Sequence, residues 1–159
     1  MLRHSSDVAC VDFSPDGHLI ASGTCYATGL IIWNWRDGTK KTLKGVLGNI
    51  NDIRFSPNGQ YIAAGMDGWG GVVIWHVRTG QLVAELKRDF NERVYRIAFM
   101  PDGMGLVSVG SNGVNLWHIS LFGMECPASR LRNGRIEVDK NNGKEPLNFG
   151  ADGVRHCCL

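Results

Sequence analysis

The apolar stretches of this sequence are only a handful of residues long. A bilayer crossing needs roughly 20, so no membrane span is expected. Its first residues, Met1-Leu2-Arg3-His4-Ser5-Ser6-Asp7, contain no apolar core, and the reading expects no secretory signal. Charge of one sign is equally scarce. Lys and Arg number 17 against 15 Asp and Glu, a net +2 spread over the whole chain, which gives little support to binding nucleic acid directly through phosphates. Five cysteines (Cys10, Cys25, Cys126, Cys157, Cys158) form no Cys-x-x-Cys pair, and an odd number fits a reduced, intracellular compartment. His156-Cys157-Cys158 is not a prenylation box, because His156 stands fourth from the end. Catalytic signatures are missing as well. Ser108 lies between Val107 and Val109 rather than in a nucleophile elbow, and no Gly-Lys-Ser/Thr follows Gly68-Trp69-Gly70-Gly71. His4, His18, His76, His118 and His156 are scattered. The expectation is a soluble chain that is not an enzyme, with no metal and no cofactor.

Glycine is abundant, at 21 residues, and five tryptophans are many for this length. That pairing points to short strands joined by tight turns, and a repeat follows. Val8/Val11/Phe13, Ile50/Ile53/Phe55 and Val94/Ile97/Phe99 share one spacing. Each leads into a turn: Ser14-Pro15-Asp16-Gly17, Ser56-Pro57-Asn58-Gly59 and Met100-Pro101-Asp102-Gly103. Proline presets φ at the first central position, Asp or Asn suits the second, and glycine closes the turn. Second strands are expected at 19–22, 61–64 and 106–109, and third strands end in Trp33, Trp75 and Trp117. After two of these tryptophans a further turn precedes fourth strands at 39–43 and 82–86. The phenylalanines are 42 and then 44 residues apart, the tryptophans 42 both times.

A period in the low forties, with four strands per unit and a closing Trp, is the pattern of propeller blades. On these residues the segment 7–120 resembles the WD-repeat family. The resemblance implies an all-β fold, a partial β-propeller of three four-stranded blades. It also implies a buried network of Trp with Ser22 or Ser108, Asp and His. Asn34, His76 and His118 replace the Asp that follows Trp in that family, and the Gly-His pair before the first strand is absent. Each buried polar group left over costs about 1–3 kcal/mol, so looser blades are expected.

Blade one is expected at about 7–43, blade two at about 49–86 and blade three at about 93–149, interrupted by a Gly/Asn/Arg-rich insertion at 121–143. Residues 145–149 are expected to supply the fourth strand of blade three, and 154–159 the truncated start of a fourth blade. Propellers close with about four to eight blades, so the chain reads as a fragment with further blades missing, or as one that self-associates, two arcs closing a ring. Residues 72–83 and 94–108 also resemble the later blades of fungal Groucho-like general transcriptional corepressors, in which a polar insertion divides one blade.

A propeller displays its loops to other proteins. Tyr26, Asp67, Trp69 and Asn112, on the turns between second and third strands, are the candidate partner-binding residues, with Asn49, Asn91, Arg93 and Tyr95 on the approaches to the inner strands. Aromatic residues and Arg dominate binding hot spots. The corepressor resemblance implies a nuclear chain whose partners are DNA-bound repressors, a tetratricopeptide-repeat corepressor and histone tails. The alternative is a general adaptor or enzyme-complex subunit, such as a ubiquitin-ligase substrate receptor, in nucleus or cytoplasm.

Overall fold

Branched and aromatic strands punctuated by Pro-Asp/Asn-Gly turns satisfy their backbone groups in antiparallel ladders, and the computed structural model is all-β. It describes residues 7–25, 29–45, 48–67, 71–86, 93–111 and 113–118, with the strand backbones 129–132 and 135–138. The first sheet runs β1 (Val8–Phe13), β2 (Leu19–Thr24), β3 (Leu30–Asn34), β4 (Lys40–Leu43). The second runs β5 (Ile50–Phe55), β6 (Tyr61–Met66), β7 (Gly71–His76), β8 (Leu82–Leu86). The third is built on β9 (Val94–Phe99), β10 (Gly105–Gly110) and β11 (Gly113–His118). Every pairing is antiparallel between chain neighbours, so each sheet is a meander. The first strands bulge at one place each, so Val8, Ile50 and Val94 keep equivalent partners in Thr24, Met66 and Gly110.

The sheets stack side by side, with β1 against β5 and β5 against β9. They form an arc of propeller blades. Burial follows from that order. The middle sheet is covered on both faces, and β7, Gly-Val-Val-Ile-Trp-His, is buried along all but its last residue. Such doubly covered strands read as continuous apolar runs. In the end sheet, β11 alternates between buried and half-exposed positions.

The turns repeat as closely as the strands. Gly17, Gly59 and Gly103 close the three first hairpins with φ of 69°, 69° and 74°, a left-handed conformation in which a side chain is strained. In the first two hairpins a serine hydroxyl braces the turn: Ser14 Oγ accepts the Leu19 N–H at 2.8 Å and Ser56 Oγ accepts that of Tyr61 at 2.9 Å. Met100 has no hydroxyl, and the third hairpin relies on the Asp102 carboxylate, which accepts the Met104 N–H at 2.9 Å.

Trp33, Trp75 and Trp117 are all buried. Trp33 and Trp117 donate their indole N–H to Ser22 and Ser108, at 2.7 and 2.8 Å. Ala64 stands at the matching place in the second sheet, and Trp75 instead donates across the sheet boundary to the Lys44 carbonyl at 3.0 Å. Asn34 and His76, in place of the Asp after Trp, brace the following turns: the Asn34 side chain accepts the Arg36 N–H and His76 Nδ1 that of Thr79.

Phe55 is buried, but its equivalent Phe13 is 58% exposed, because among the described residues no sheet lies against the outer face of β1. One feature departs from the expected organisation. Within the expected loop 121–143 lie two short strands, β12 (Ser129–Arg132) and β13 (Arg135–Val138), and β12 pairs with β11. That is the edge expected for 145–149, which, with 154–159, lies outside the described residues. The local cause is visible: apolar and polar residues alternate on either side of Asn133-Gly134, a strong two-residue hairpin signal.

Candidate interaction surface

The residue just before each first strand is tied through its carbonyl to the residue just after each second strand. Cys25 donates its N–H to the Asp7 carbonyl at 3.2 Å, Asp67 to Asn49 at 2.9 Å, and Ser111 to Arg93 at 2.9 Å. These three equivalent bonds align one end of the three sheets. Asp7, Asn49 and Arg93 are exposed there in a row: an acid, an amide and a base.

Between the second and third sheets the row is reinforced. Asn51 sits at the bulge of β5, and its side-chain amide donates to Asp67 Oδ1 at 2.7 Å and to the Val94 carbonyl at 2.9 Å. The Arg93 N–H donates to Ser111 Oγ at 3.1 Å. Tyr95, at the matching bulge of β9, is 45% exposed. Asp67, Arg93 and Tyr95 therefore gather at one end of two adjacent sheets, on backbone held by side-chain bonds. Tyr26, Trp69, Asn91 and Asn112 lie outside the described residues.

Asn51 is not among the residues the sequence points to, in the turns or on the approaches to the inner strands. Two buried or half-buried carboxylates are not among them either. Asp12 Oδ2 accepts the Phe55 N–H at 2.8 Å and Asp52 Oδ2 accepts the Ile97 N–H at 2.9 Å, each from the next sheet. Arg54 Nη1 lies 3.1 Å from Asp52 Oδ1. The available signal was a polar residue interrupting an apolar strand pattern. Beside Asp52, burial and then the carboxylate's charge push the Cys10 thiol up to about 11.

At the opposite end, Trp35 is 48% exposed, its indole N–H donates to the Gly17 carbonyl at 2.9 Å, and the Arg36 guanidinium lies 5.4 Å from its ring centre. An exposed Trp stacked with Arg has the composition of a binding hot spot. In the sequence Trp33, two residues earlier, satisfies the repeat, so nothing there marks Trp35. Among the described residues, no three His, Cys, Asp or Glu side chains converge as a metal site would require.

Three stacked antiparallel sheets, of four, four and five strands, with equivalent turns, bulges and tryptophans define the arc as a set of propeller blades. The family description "WD domain, G-beta repeat" matches residues 1–34 and 38–76, which end at the last residue of β7. These matches support a WD-repeat family, and β9 to β11 repeat the same pattern beyond them. A comparison with curated proteins finds no match.

Proposed function

We propose that this chain is a non-catalytic scaffold for protein–protein interaction. The observation that carries the reading is the row Asp7, Asn49, Arg93 with Tyr95, exposed side chains of unlike chemistry at one end of three aligned sheets. A rigid frame that presents varied side chains from its strand ends is suited to recognising a peptide, and the WD-repeat matches agree with it.

The finer reading is a role in transcriptional repression in the nucleus, through DNA-bound repressors, a tetratricopeptide-repeat corepressor or histone tails. Its support is the phrase-level resemblance of 72–83 and 94–108 to Groucho-like corepressors. Basic tails would meet the carboxylates Asp7 and Asp67 and the face of Tyr95. Fluorescence anisotropy with labelled histone-tail and repressor peptides tests this. Binding that falls about ten-fold in Tyr95→Ala and in Asp67→Asn, and holds in Trp35→Ala, supports it. Absence of binding to every such peptide removes the repression reading. Binding lost only in Trp35→Ala moves the surface to the other end of the arc.

A further inference from the structure

Successive sheets meet in the same way twice. Ile50 of β5 lies over Gly23 of β2, and Val94 and Ile97 of β9 lie over Gly65 of β6. A β carbon on Gly23 would stand 2.7 Å from Ile50 Cγ2, and one on Gly65 would stand 2.7 Å from Val94 Cγ1 and 3.2 Å from Ile97 Cγ2. Carbon atoms pack at about 3.5–4.0 Å, so both contacts require glycine. Each receiving sheet then fastens its neighbour with a carboxylate, Asp12 to the Phe55 N–H and Asp52 to the Ile97 N–H.

The two ends of the arc are unlike. On β1, Val8, Val11 and Phe13 are 50%, 57% and 58% exposed, whereas Ile50, Ile53 and Phe55 at the equivalent places are 1%, 0% and 7% exposed. This is the inserting face of a sheet interface with no receiving sheet among the described residues. At the other end the receiving face has changed. Gly23 pairs with Cys10 and Gly65 with Asp52, but the residue at that register in the third sheet is Val109, paired with Arg96. Where the first two sheets place Asp12 and Asp52, the third has Ala98 and Arg96. A Val8 docking there would meet a β-branched side chain where Val94 already leaves no room for a single β carbon.

We propose that the β1 face docks a four-stranded repeat sheet of one chemistry: glycine at the Gly23/Gly65 register and a carboxylate on its first strand. We infer also that Val109 bars this chain's own third sheet from being that partner. Copies then do not chain end to end, and two wild-type arcs do not close a ring by this interface. The inference concerns the sheet ends and stands apart from the strand-end surface proposed above.

The test uses the full chain and sedimentation velocity. Val109→Gly/Phe13→Asp carries a glycine-bearing receiving face and a blocked inserting face, so it can accept a partner but not offer itself. Mixed with wild type it should form a one-to-one complex, at least about ten-fold tighter than any formed by Phe13→Asp with Val109 intact. Adding Arg96→Asp to the receiving chain should tighten it further. Equal capture by both receiving chains, or capture by neither, overturns the proposal. A second variant tests the glycine requirement without association. Gly65→Val should lower the melting midpoint by about 10 °C or more, and a midpoint within a degree or two of wild type would refute the steric argument.

Discussion

Asp52, 4% exposed, accepts an N–H from β9, pairs with Arg54 and lies beside Cys10. Removing a buried charged acceptor orphans its donor. Asp52→Ala is expected to lower stability by about 2–3 kcal/mol, measured by urea unfolding, whereas loss of an exposed turn side chain costs less. Trp75, fully buried in the doubly covered sheet, should cost about 3–5 kcal/mol as Trp75→Ala. Half-exposed Trp35 should cost about 1 kcal/mol or less, and a calorimetric comparison of the two separates core from surface. The Cys10 thiol carries a pH signature. Its pKa rises from 9.0 to about 11 on folding, so the neutral thiol favours the folded chain. That contribution is complete below about pH 9 and is lost as pH rises through about 11. At pH 8 the folded thiolate is about 100-fold rarer than in the unfolded chain. Iodoacetamide should therefore label Cys10 about 100-fold more slowly without urea than with it, read by peptide mass spectrometry.

At the scale of the element, the hairpins divide by how they are braced. Ser56→Ala leaves the Tyr61 N–H without its hydroxyl acceptor and should cost about 1 kcal/mol. The third hairpin, with Met100 in that place, already lacks this brace. Asp16 and Asp37 add an acid dependence. Hydrogen bonds from Ser14 and the His18 N–H hold the first below the usual carboxylate range, and the Thr39 hydroxyl and N–H do so for the second. Their contribution is present above the ordinary carboxylate pKa and disappears as pH falls through the lowered values. These turns were legible in the sequence because Pro, Asp/Asn and Gly each answer a local dihedral demand. Gly29, Gly71 and Gly113, with φ of 95°, 97° and 104° at or just before the third strands, repeat at intervals of 42 residues and could have been read the same way. The surface was less legible. Asp67, Arg93 and Tyr95 were singled out by type, but Asn51 joins them only through the bulge in β5, and a bulge leaves no simple mark on strand alternation. The carboxylates Asp12 and Asp52 act on the next repeat, 43 and 45 residues away, a distance over which no local pattern speaks.

For the whole molecule, protection should follow coverage. Amide hydrogen exchange is expected to be slowest in β6 and β7, whose sheet has neighbours on both faces, and faster in β1 and β11. Uniform protection across the three sheets would mean that the stack opens only as one unit. The indole bond from Trp75 to the Lys44 carbonyl bears on a different matter, whether repeats are interchangeable parts. The first and third sheets complete their Trp–Ser pairs from their own residues, whereas the second, with Ala64, borrows a carbonyl from the sheet before it. Transplanted to the head of an array, the second repeat would arrive with a buried donor and nothing to receive it. The order of the modules is therefore written into one of their tryptophans. An engineer who shuffled these blades would have to restore a serine at position 64 before the permutation could hold.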